Sequence, residues 1–373
     1  MENGLNFYNG NVVEISCSDK TLYKISNKGM QPKWHKDNMW FKMDTNRYEG
    51  LAETIISDML DHSNVDRHFS YSPVTMKYKN ENHTGCMSPN GLNEDEELIT
   101  IYQLMELSDS DFSKRINNNF DYASPKEYIS EFIQESKELT ELKDIDRYYT
   151  KMFELDTITL NNDRHMNNIS LVMHDNGRVY YDCGPIFDNG NAFALSHENV
   201  KKWKECERTY NIVMAVEGKP FSTDFDTQRK IFENGKMELM LYYGPEDLKQ
   251  SLDRCRNIYD EQVLKFVDAV FRIQYNKYRD FFFDKNREKW KEKVEQEAGM
   301  ESTENKHEIV FAIQNNKISV TPSGIMKLNG KQSENLYEVF DKGKDVFELY
   351  KKINIVANKL KDISYEEQNR KLT

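Results

Sequence analysis

The sequence has few of the features that identify membrane, secreted or nucleic-acid-binding proteins. No apolar run approaches the roughly 18 to 20 residues that cross a bilayer, and the N-terminal stretch MENGLNFYNG has no basic region followed by an apolar one. Five scattered cysteines, with no C-x-x-C pair, disfavour a disulfide framework and a zinc site. A net charge of −12 disfavours broad contact with nucleic acid or an anionic membrane. We therefore expect a cytoplasmic protein with reduced thiols.

The chain does contain ample material for a folded core. Apolar residues make up 38% of it, and 21 Tyr and 20 Phe accompany the 31% of charged residues. A length of 373 residues suffices for two domains or one bilobal unit. The order of the predicted elements favours the bilobal arrangement.

The first 107 residues are predicted to form a small β-rich lobe with one helix. Short β-prone runs include VVEIS, LYKIS and MWFKM, and further strands are expected at FSYSPVTMKY and ELITIYQLM. Between them, YEGLAETIISDML has apolar residues at helical spacing after the capping side chains of Asp44, Thr45 and Asn46.

Residues 108–300 are predicted to form a larger, mainly helical lobe. Helical periodicity recurs in SPKEYISEFIQES, ELKDIDRYYTKMFELDTITL and DFDTQRKIFE, and in a long stretch after Pro245 that is broken once. ISLVMHDNGRVYYD predicts a hairpin with a two-residue turn at Asn176-Gly177. Residues 301–373 form an appendage of unknown role with strand-like text at HEIVFAIQNNKISV. The predicted fold class is thus α+β.

The hairpin predicts which polar residues lie near one another. A two-residue turn places Asn168 opposite Pro185, so the loop before the first strand meets the loop after the second. Asp163 and Asn168 should therefore lie near Asp182 and Asp188. Carboxylate and amide oxygens are the ligands that Mg²⁺ prefers, together with substrate phosphates. The sequence predicts phosphoryl-transfer chemistry at this end of the hairpin.

The polar segment DRHMNN, residues 163–168, resembles the D-R-H-x-x-N catalytic loop of phosphoinositide-kinase-like enzymes and the related loop of HipA-like serine/threonine kinases. GPIFDNGNAF and KPFSTDFDTQ are similar to further segments of the HipA-like family. The similarity extends over roughly residues 15–290 and is most specific around the catalytic loop. It implies a bilobal protein-kinase-like fold that uses ATP and Mg²⁺.

The resemblance also implies roles for individual residues. Asp163 would accept or position the proton of the substrate hydroxyl, and Asn168 and Asp188 would bind the metal. Asp182 competes with Asp188, because DCG at Asp182 imitates the D-F-G of other kinases. Asp188 is preferred because PIFDNG is closer to the HipA-like pattern.

Lys42, on a strand just before the helix, is the candidate for the lysine that contacts the phosphates. At 100° per residue Glu49 falls between Ile56 and Leu60, inside the apolar stripe of the helix, where a carboxylate needs a partner. An ion pair between Lys42 and Glu49 is therefore predicted. Two alternatives stay open: a capping role for Glu49, and Glu53 as the partner of Lys42.

The nucleotide-covering loop is expected in SNKGMQPKWHK, which has one glycine, Gly29, and no G-x-G-x-x-G pattern. Backbone N–H groups around Ser26 and Gly29 would hold phosphates, and Ser26 is a candidate self-phosphorylation switch by the resemblance. Adenine would contact backbone groups where a strand enters the connector between the lobes, including those of Tyr102 and Leu104.

The predicted activity is ATP- and Mg²⁺-dependent phosphorylation of Ser or Thr on a protein, the chain itself included. The substrate is not specified by the sequence, and an antitoxin-like or regulatory partner is a further expectation from the resemblance. Three alternatives remain: an inactive nucleotide-binding scaffold, a lipid kinase, and a phosphohydrolase that uses Asp163, His165, Asp182 and Asp188.

Overall fold

The protein is described here by a computed structural model. Its described residues are 12–15, 31–45, 47–93, 95–108, 112, 124–175, 177 and 179–283, with four short strands between residues 309 and 332. The chain divides into two compact units, residues 1–282 and 283–373. The predicted boundaries at residues 107 and 300 stay a prediction.

The small lobe is a twisted sheet with one helix packed on it. Its described strands are β1 (Val13–Ile15), β2 (Lys33–Lys36), β3 (Met39–Met43), β4 (Ser72–Tyr78) and β5 (Glu81–Pro89), in the order β1-β4-β5-β3-β2. β1 pairs with β4 in parallel, and the other pairs are antiparallel. One face buries an apolar cluster that includes Trp34, Phe41 and Met76. Helix α1 (Glu49–Asp61) packs against the sheet, mostly on β5 and β4.

The segment predicted as a strand at residues 97–105 is a strand only in its first part. β6 (Glu96–Thr100) is followed at once by helix α2 (Ile101–Ser108). The reason is a capping box, because Gln103 N–H donates to Thr100 Oγ1 at 3.2 Å and Thr100 N–H donates to Gln103 Oε1 at 2.9 Å. The T-x-x-Q pattern was present in the sequence, but the apolar alternation around it favoured a strand.

The larger lobe is mainly helical, as predicted. Its described helices are α3 (Pro125–Thr140), α4 (Ile145–Thr159), α5 (His197–Lys204), α6 (Thr209–Met214), α7 (Phe225–Glu233), α8 (Pro245–Cys255) and α9 (Glu261–Lys277). Ser124 caps α3 and Pro125 occupies its first turn, as the sequence predicts. A cluster of aromatic rings, among them Phe132, Phe153 and Phe232, fills the space between α3, α4 and α7. The α+β bilobal fold class, with a β-rich lobe of one helix before a helical lobe, is confirmed.

A hairpin of β7 (Ser170–Asp175) and β8 (Val179–Cys183) follows the short 3₁₀ turn Met166–Asn168. Asp175 pairs with Val179, so the connecting loop has three residues rather than the predicted two. Gly177 in this loop has φ +96°, which suits a three-residue loop with a left-handed position. The pairing register of β7 and β8 therefore differs by one residue from the predicted register. β6 pairs with β7, so it belongs to this sheet and not to that of the small lobe.

The second unit contains an antiparallel sheet. Its described strands, β9 (Ile309–Ile313), β10 (Asn316–Val320), β11 (Met326–Leu328) and β12 (Lys331–Gln332), follow one another in order. The predicted strand text at HEIVFAIQNNKISV is thus confirmed as β9 and β10. No helix in the described residues of the chain is long and apolar enough to cross a membrane.

Candidate active site

A closed ring of polar contacts joins the small lobe to the segment after the hairpin. Lys42 Nζ lies 2.5 Å from Glu53 Oε1 and 3.7 Å from Asp188 Oδ1. The other oxygen of Glu53, Oε2, accepts a 3.0 Å hydrogen bond from the backbone N–H of Asn189. Lys42 Nζ also lies 4.6 Å from the centre of the Tyr71 ring. β3, α1 and the segment around Asp188 therefore meet at one buried lysine.

The prediction that Lys42 pairs with Glu49 is wrong. The carboxylate of Glu49 instead accepts hydrogen bonds from the N–H and the hydroxyl of Thr45, at 3.1 and 2.9 Å. Glu49 thus stabilises the turn before α1. This role resembles the capping role that the sequence left open as an alternative. Glu53, one helical turn further on, is the ion-pair partner of Lys42.

The helical periodicity predicted Glu49 rather than Glu53 as the partner of Lys42 because α1 is buried on most sides. Ten of its thirteen residues, from Gly50 to Leu60, are buried, so a single apolar stripe does not define its inner face. Gly50 lies directly on β5, where a Cβ would overlap the backbone of Gly85. This close approach turns Glu53, one turn beyond Gly50, towards Lys42.

The two competing aspartates lie in different surroundings. Asp188 has a left-handed backbone, with φ 57°, and its carboxylate lies beside Lys42. Asp182 is on β8, its side chain is 56% exposed, and its carboxylate lies 3.0 Å from Nε2 of His174. The geometry therefore favours Asp188 over Asp182 as the acid of the site, and its role as a metal ligand stays a prediction.

The loop at residues 163–168 carries the other two predicted residues. Asn168, which is buried, donates through Nδ2 to the backbone carbonyl of Asp163 at 3.0 Å. The side-chain oxygen of Asn168 is then the atom that can face a cation. Oδ2 of Asp163 accepts a 2.7 Å hydrogen bond from Nδ2 of Asn191.

Arg164 links this loop to the segment that carries Asp188. It is fully buried and forms a bidentate pair with Asp156 on α4, at 2.9 and 3.0 Å. Its Nη1 donates to the carbonyls of Asn168 and Phe187, at 2.7 and 2.9 Å. Arg164 therefore holds the loop and the Asp188 segment together, a link between distant segments for which the sequence gives no sign.

The charges around the site keep Asp188 ionised. Burial alone would raise its pKa, but Lys33, Lys42, Arg164 and His165 hold that pKa well below its usual range. Burial would likewise lower the pKa of Lys42, but Glu53, with Tyr71 and Asp188, holds it well above the usual value. Lys33 stands directly opposite Lys42 on β2, so both lysines point to the same face of the sheet.

The oxygens available suit a hard cation that keeps part of its coordination for phosphates. Asp188 supplies an ionised carboxylate and Asn168 an amide oxygen, which matches the preference of Mg²⁺ for few protein ligands. Among the described residues, no three His, Cys, Asp or Glu side chains cluster as a self-sufficient metal site.

The structure gives no support to the predicted contacts between adenine and the backbone of Tyr102 and Leu104. Tyr102 and Leu104 lie on α2 rather than on a strand entering a connector, and the side chain of Leu104 is buried in the core. Within the helix the carbonyls of these residues accept from N–H groups one turn further on, so they are not free for a base as they would be on an open strand. The adenine contacts at these two residues stay a prediction without support from the geometry. Ser26 and Gly29 lie outside the described residues.

No protein-family model matches the chain, and no curated protein matches it. Among solved structures, the chain is similar to the Helicobacter pylori proinflammatory kinase CtkA, with 12% sequence identity and a TM-score of 0.44. The match covers 72% of this chain and 96% of that one. The chemistry that the site can perform follows from its own geometry within an α+β, bilobal fold.

Proposed function

We propose that this protein is an ATP- and Mg²⁺-dependent kinase that transfers the γ-phosphoryl group to Ser or Thr of a protein, with itself among the acceptors. The observation that carries the proposal is the ring of Lys42, Glu53, Asp188 and Asn189, in which a buried lysine lies between two acids. Arg164 ties that ring to the loop of Asp163 and Asn168. Ser/Thr specificity is supported by the resemblance of DRHMNN to HipA-like serine/threonine kinases.

Each residue of the site has a task in such a transfer. Lys42 would bind phosphate oxygens, and Glu53 would hold the ammonium group in place. Asp188 and Asn168 would hold Mg²⁺, which when bound neutralises charge on the phosphates. The hydroxyl oxygen bonds to the γ-phosphorus, the bond to the β–γ bridging oxygen breaks to leave ADP, and the hydroxyl proton passes to Asp163.

The alternative of a phosphohydrolase has less support in the geometry. It needs Asp182 beside Asp163 and Asp188, but the Asp182 carboxylate is largely exposed and lies against His174. It also leaves the buried pair of Lys42 and Glu53 without a task. A protein acceptor is favoured over a lipid because the net charge of −12 opposes binding to an anionic membrane.

The test is phosphate transfer by the full chain from γ-labelled ATP with Mg²⁺, to itself and to casein, followed by phosphoamino-acid analysis. Asp163→Asn and Asp188→Asn should each lower the rate by about 100-fold or more. Asp182→Asn is the matched control and should leave the rate unchanged, because its carboxylate lies outside the ring.

Other results would support the alternatives. ATP binding without any transfer supports the inactive scaffold, and label released only as free phosphate supports the hydrolase. Label found only in added phosphoinositide supports a lipid kinase. Label on Ser or Thr that survives in Asp163→Asn would contradict the assignment of the site. A regulatory protein partner is proposed only from the family resemblance, and co-purification from the native host would test it.

A further inference from the structure

Asn191 contacts the residue proposed to handle the substrate proton. Its Nδ2 donates a 2.7 Å hydrogen bond to Oδ2 of Asp163. The other hydrogen bonds of Asp163 within the described chain use its backbone: its N–H donates to Asn161 Oδ1 at 3.4 Å, and its carbonyl accepts from Asn168. Asn191 is therefore the described side chain that orients the Asp163 carboxylate.

The chain on both sides of Asn191 is firmly held. Ala192 and Phe193 are fully buried, and the Phe193 N–H donates to the carbonyl of Thr159 at the end of α4 at 2.6 Å. On the other side, Gly190 packs so closely on Glu49 that an added Cβ would lie 2.9 Å from the Glu49 Cβ. An amide carried by so well-anchored a segment can hold its partner in one orientation.

We propose that Asn191 is a positioning residue for phosphoryl transfer, an inference that rests on the proposed function. By holding Oδ2, it leaves Oδ1 of Asp163 to meet the acceptor hydroxyl. A neutral amide does this without forming an ion pair with the carboxylate. Asn191 lies three residues after Asp188, the proposed metal ligand. The segment that holds the metal would thus also orient the carboxylate of Asp163, which takes the proton.

Two substitutions separate the donor from the shape of the side chain. Asn191→Ala removes the amide, whereas Asn191→Asp keeps nearly the same shape and replaces the donor by an oxygen. Asn199→Ala is the matched control, because Asn199 also donates through Nδ2, at 2.8 Å, but to the backbone carbonyl of Ala194 rather than to Asp163. For each variant of the full chain, the measurements are kcat and the KM for ATP with casein as acceptor, and the thermal midpoint.

Both Asn191 variants should lower kcat by about 10- to 100-fold, as expected when a reacting group is misplaced. The KM for ATP and the thermal midpoint should stay at the wild-type values. The side-chain hydrogen bond of Asn191 is to Asp163, outside the contacts among Lys42, Glu53 and Asp188. The control variant should keep the wild-type kcat. A fall in kcat with normal ATP affinity and stability is the result that a purely structural asparagine would not produce.

Two results would overturn the inference. One is a wild-type kcat in both Asn191 variants, and the other is a loss of kcat that runs parallel to losses in ATP affinity and thermal midpoint. If the wild-type chain transfers phosphate, Asp163→Asn abolishes transfer and the Asn191 variants are normal, the positioning role alone fails. If the wild-type chain transfers none, the proposed function fails and the positioning role falls with it.

Discussion

At the scale of single residues, two glutamates one helical turn apart have different tasks. Glu53 is 1% exposed and holds the ammonium group of Lys42, whereas Glu49 closes the turn before α1. Removing one partner of a buried ion pair leaves the other charge without compensation in a medium that solvates it poorly. The two positions should therefore respond very differently to the same substitution.

Glu53→Gln should lower phosphate transfer strongly and the free energy of unfolding by about 3 kcal/mol, because the buried Lys42 loses its nearer carboxylate and keeps only that of Asp188, at 3.7 Å. Glu49→Gln is the matched control and should cost about 1 kcal/mol or less, as for a lost capping contact. Initial rates and urea unfolding of both variants check this. Equal losses at the two positions would contradict the assigned pairing.

Arg164 is a second residue whose contacts require its particular side chain. Arg164→Lys keeps the charge but loses the planar group that reaches Asp156 and two carbonyls at once. We expect a loss of about 3 to 5 kcal/mol in the free energy of unfolding, as for other broken buried pairs.

The matched control is Arg147→Lys, since Arg147 is one-third exposed and pairs with Glu238 near the surface. Surface pairs contribute about 1 kcal/mol or less. Urea unfolding that gave Arg164→Lys a cost as small as that of the control would show that the buried hub is not needed for stability.

At the scale of elements, the approach of α1 to β5 sets the position of the Lys42–Glu53 pair. Gly50 is buried, and any side chain there would meet the backbone of Gly85 and Cys86. α1 therefore lies closer to the sheet than a helix with a side chain at this position could. The distance from Glu53 to Lys42 depends on that spacing.

Gly50→Ala should reverse the usual sign of such a substitution. In an exposed helix, alanine stabilises by up to about 1 kcal/mol relative to glycine. Here the added methyl group should push α1 away from β5, so both the thermal midpoint and the rate of phosphate transfer should fall. A stabilised and fully active Gly50→Ala would show that the sheet and the helix can separate without harm to the site.

At the scale of the whole molecule, Asp44 joins the two lobes. Its carboxylate accepts hydrogen bonds from Gly50 N–H at 2.6 Å and Thr84 Oγ1 at 2.7 Å in the small lobe, and from the Tyr259 hydroxyl at 3.0 Å in the large lobe. Burial raises the pKa of Asp44 to about 6, and the charge of Glu49 adds to this rise. The three hydrogen bonds lower the pKa and offset part of the effect.

This raised pKa predicts how stability depends on pH. An acid whose pKa is higher in the folded state binds its proton more tightly there, so its contribution is complete below the unfolded value near 3.9 and is lost as pH rises through about 6. The difference between the folded and the unfolded pKa corresponds to about 3 kcal/mol. Urea unfolding of wild type and Asp44→Asn between pH 4 and pH 8 should show that the variant gains relative stability as pH rises. A difference that does not vary with pH would contradict this assignment.

Local patterns in the sequence were enough for most of the elements and for the position of the loop that carries Asp163 and Asn168. Helical periodicity, the Ser124-Pro125 start of α3 and Gly177 in the hairpin act over a few residues, so the sequence alone predicts them. The hairpin also brought Asp163 and Asn168 to the same region as Asp188. The T-x-x-Q capping box of α2 was readable too, but the apolar alternation around it outweighed that signal.

Short-range patterns could not decide contacts between segments that are far apart in the chain. The choice of Glu53 over Glu49 follows from how closely α1 packs on β5. Asp188 was already preferred over Asp182 from its motif, and the structure adds its 3.7 Å approach to Lys42. Arg164 and Asn191 each bridge two segments, so neither partner is visible from the neighbouring residues. The sequence by itself determined the elements and the chemical groups of the site. Only the tertiary structure decided which groups touch, because packing between distant segments sets distances that local backbone preferences do not encode.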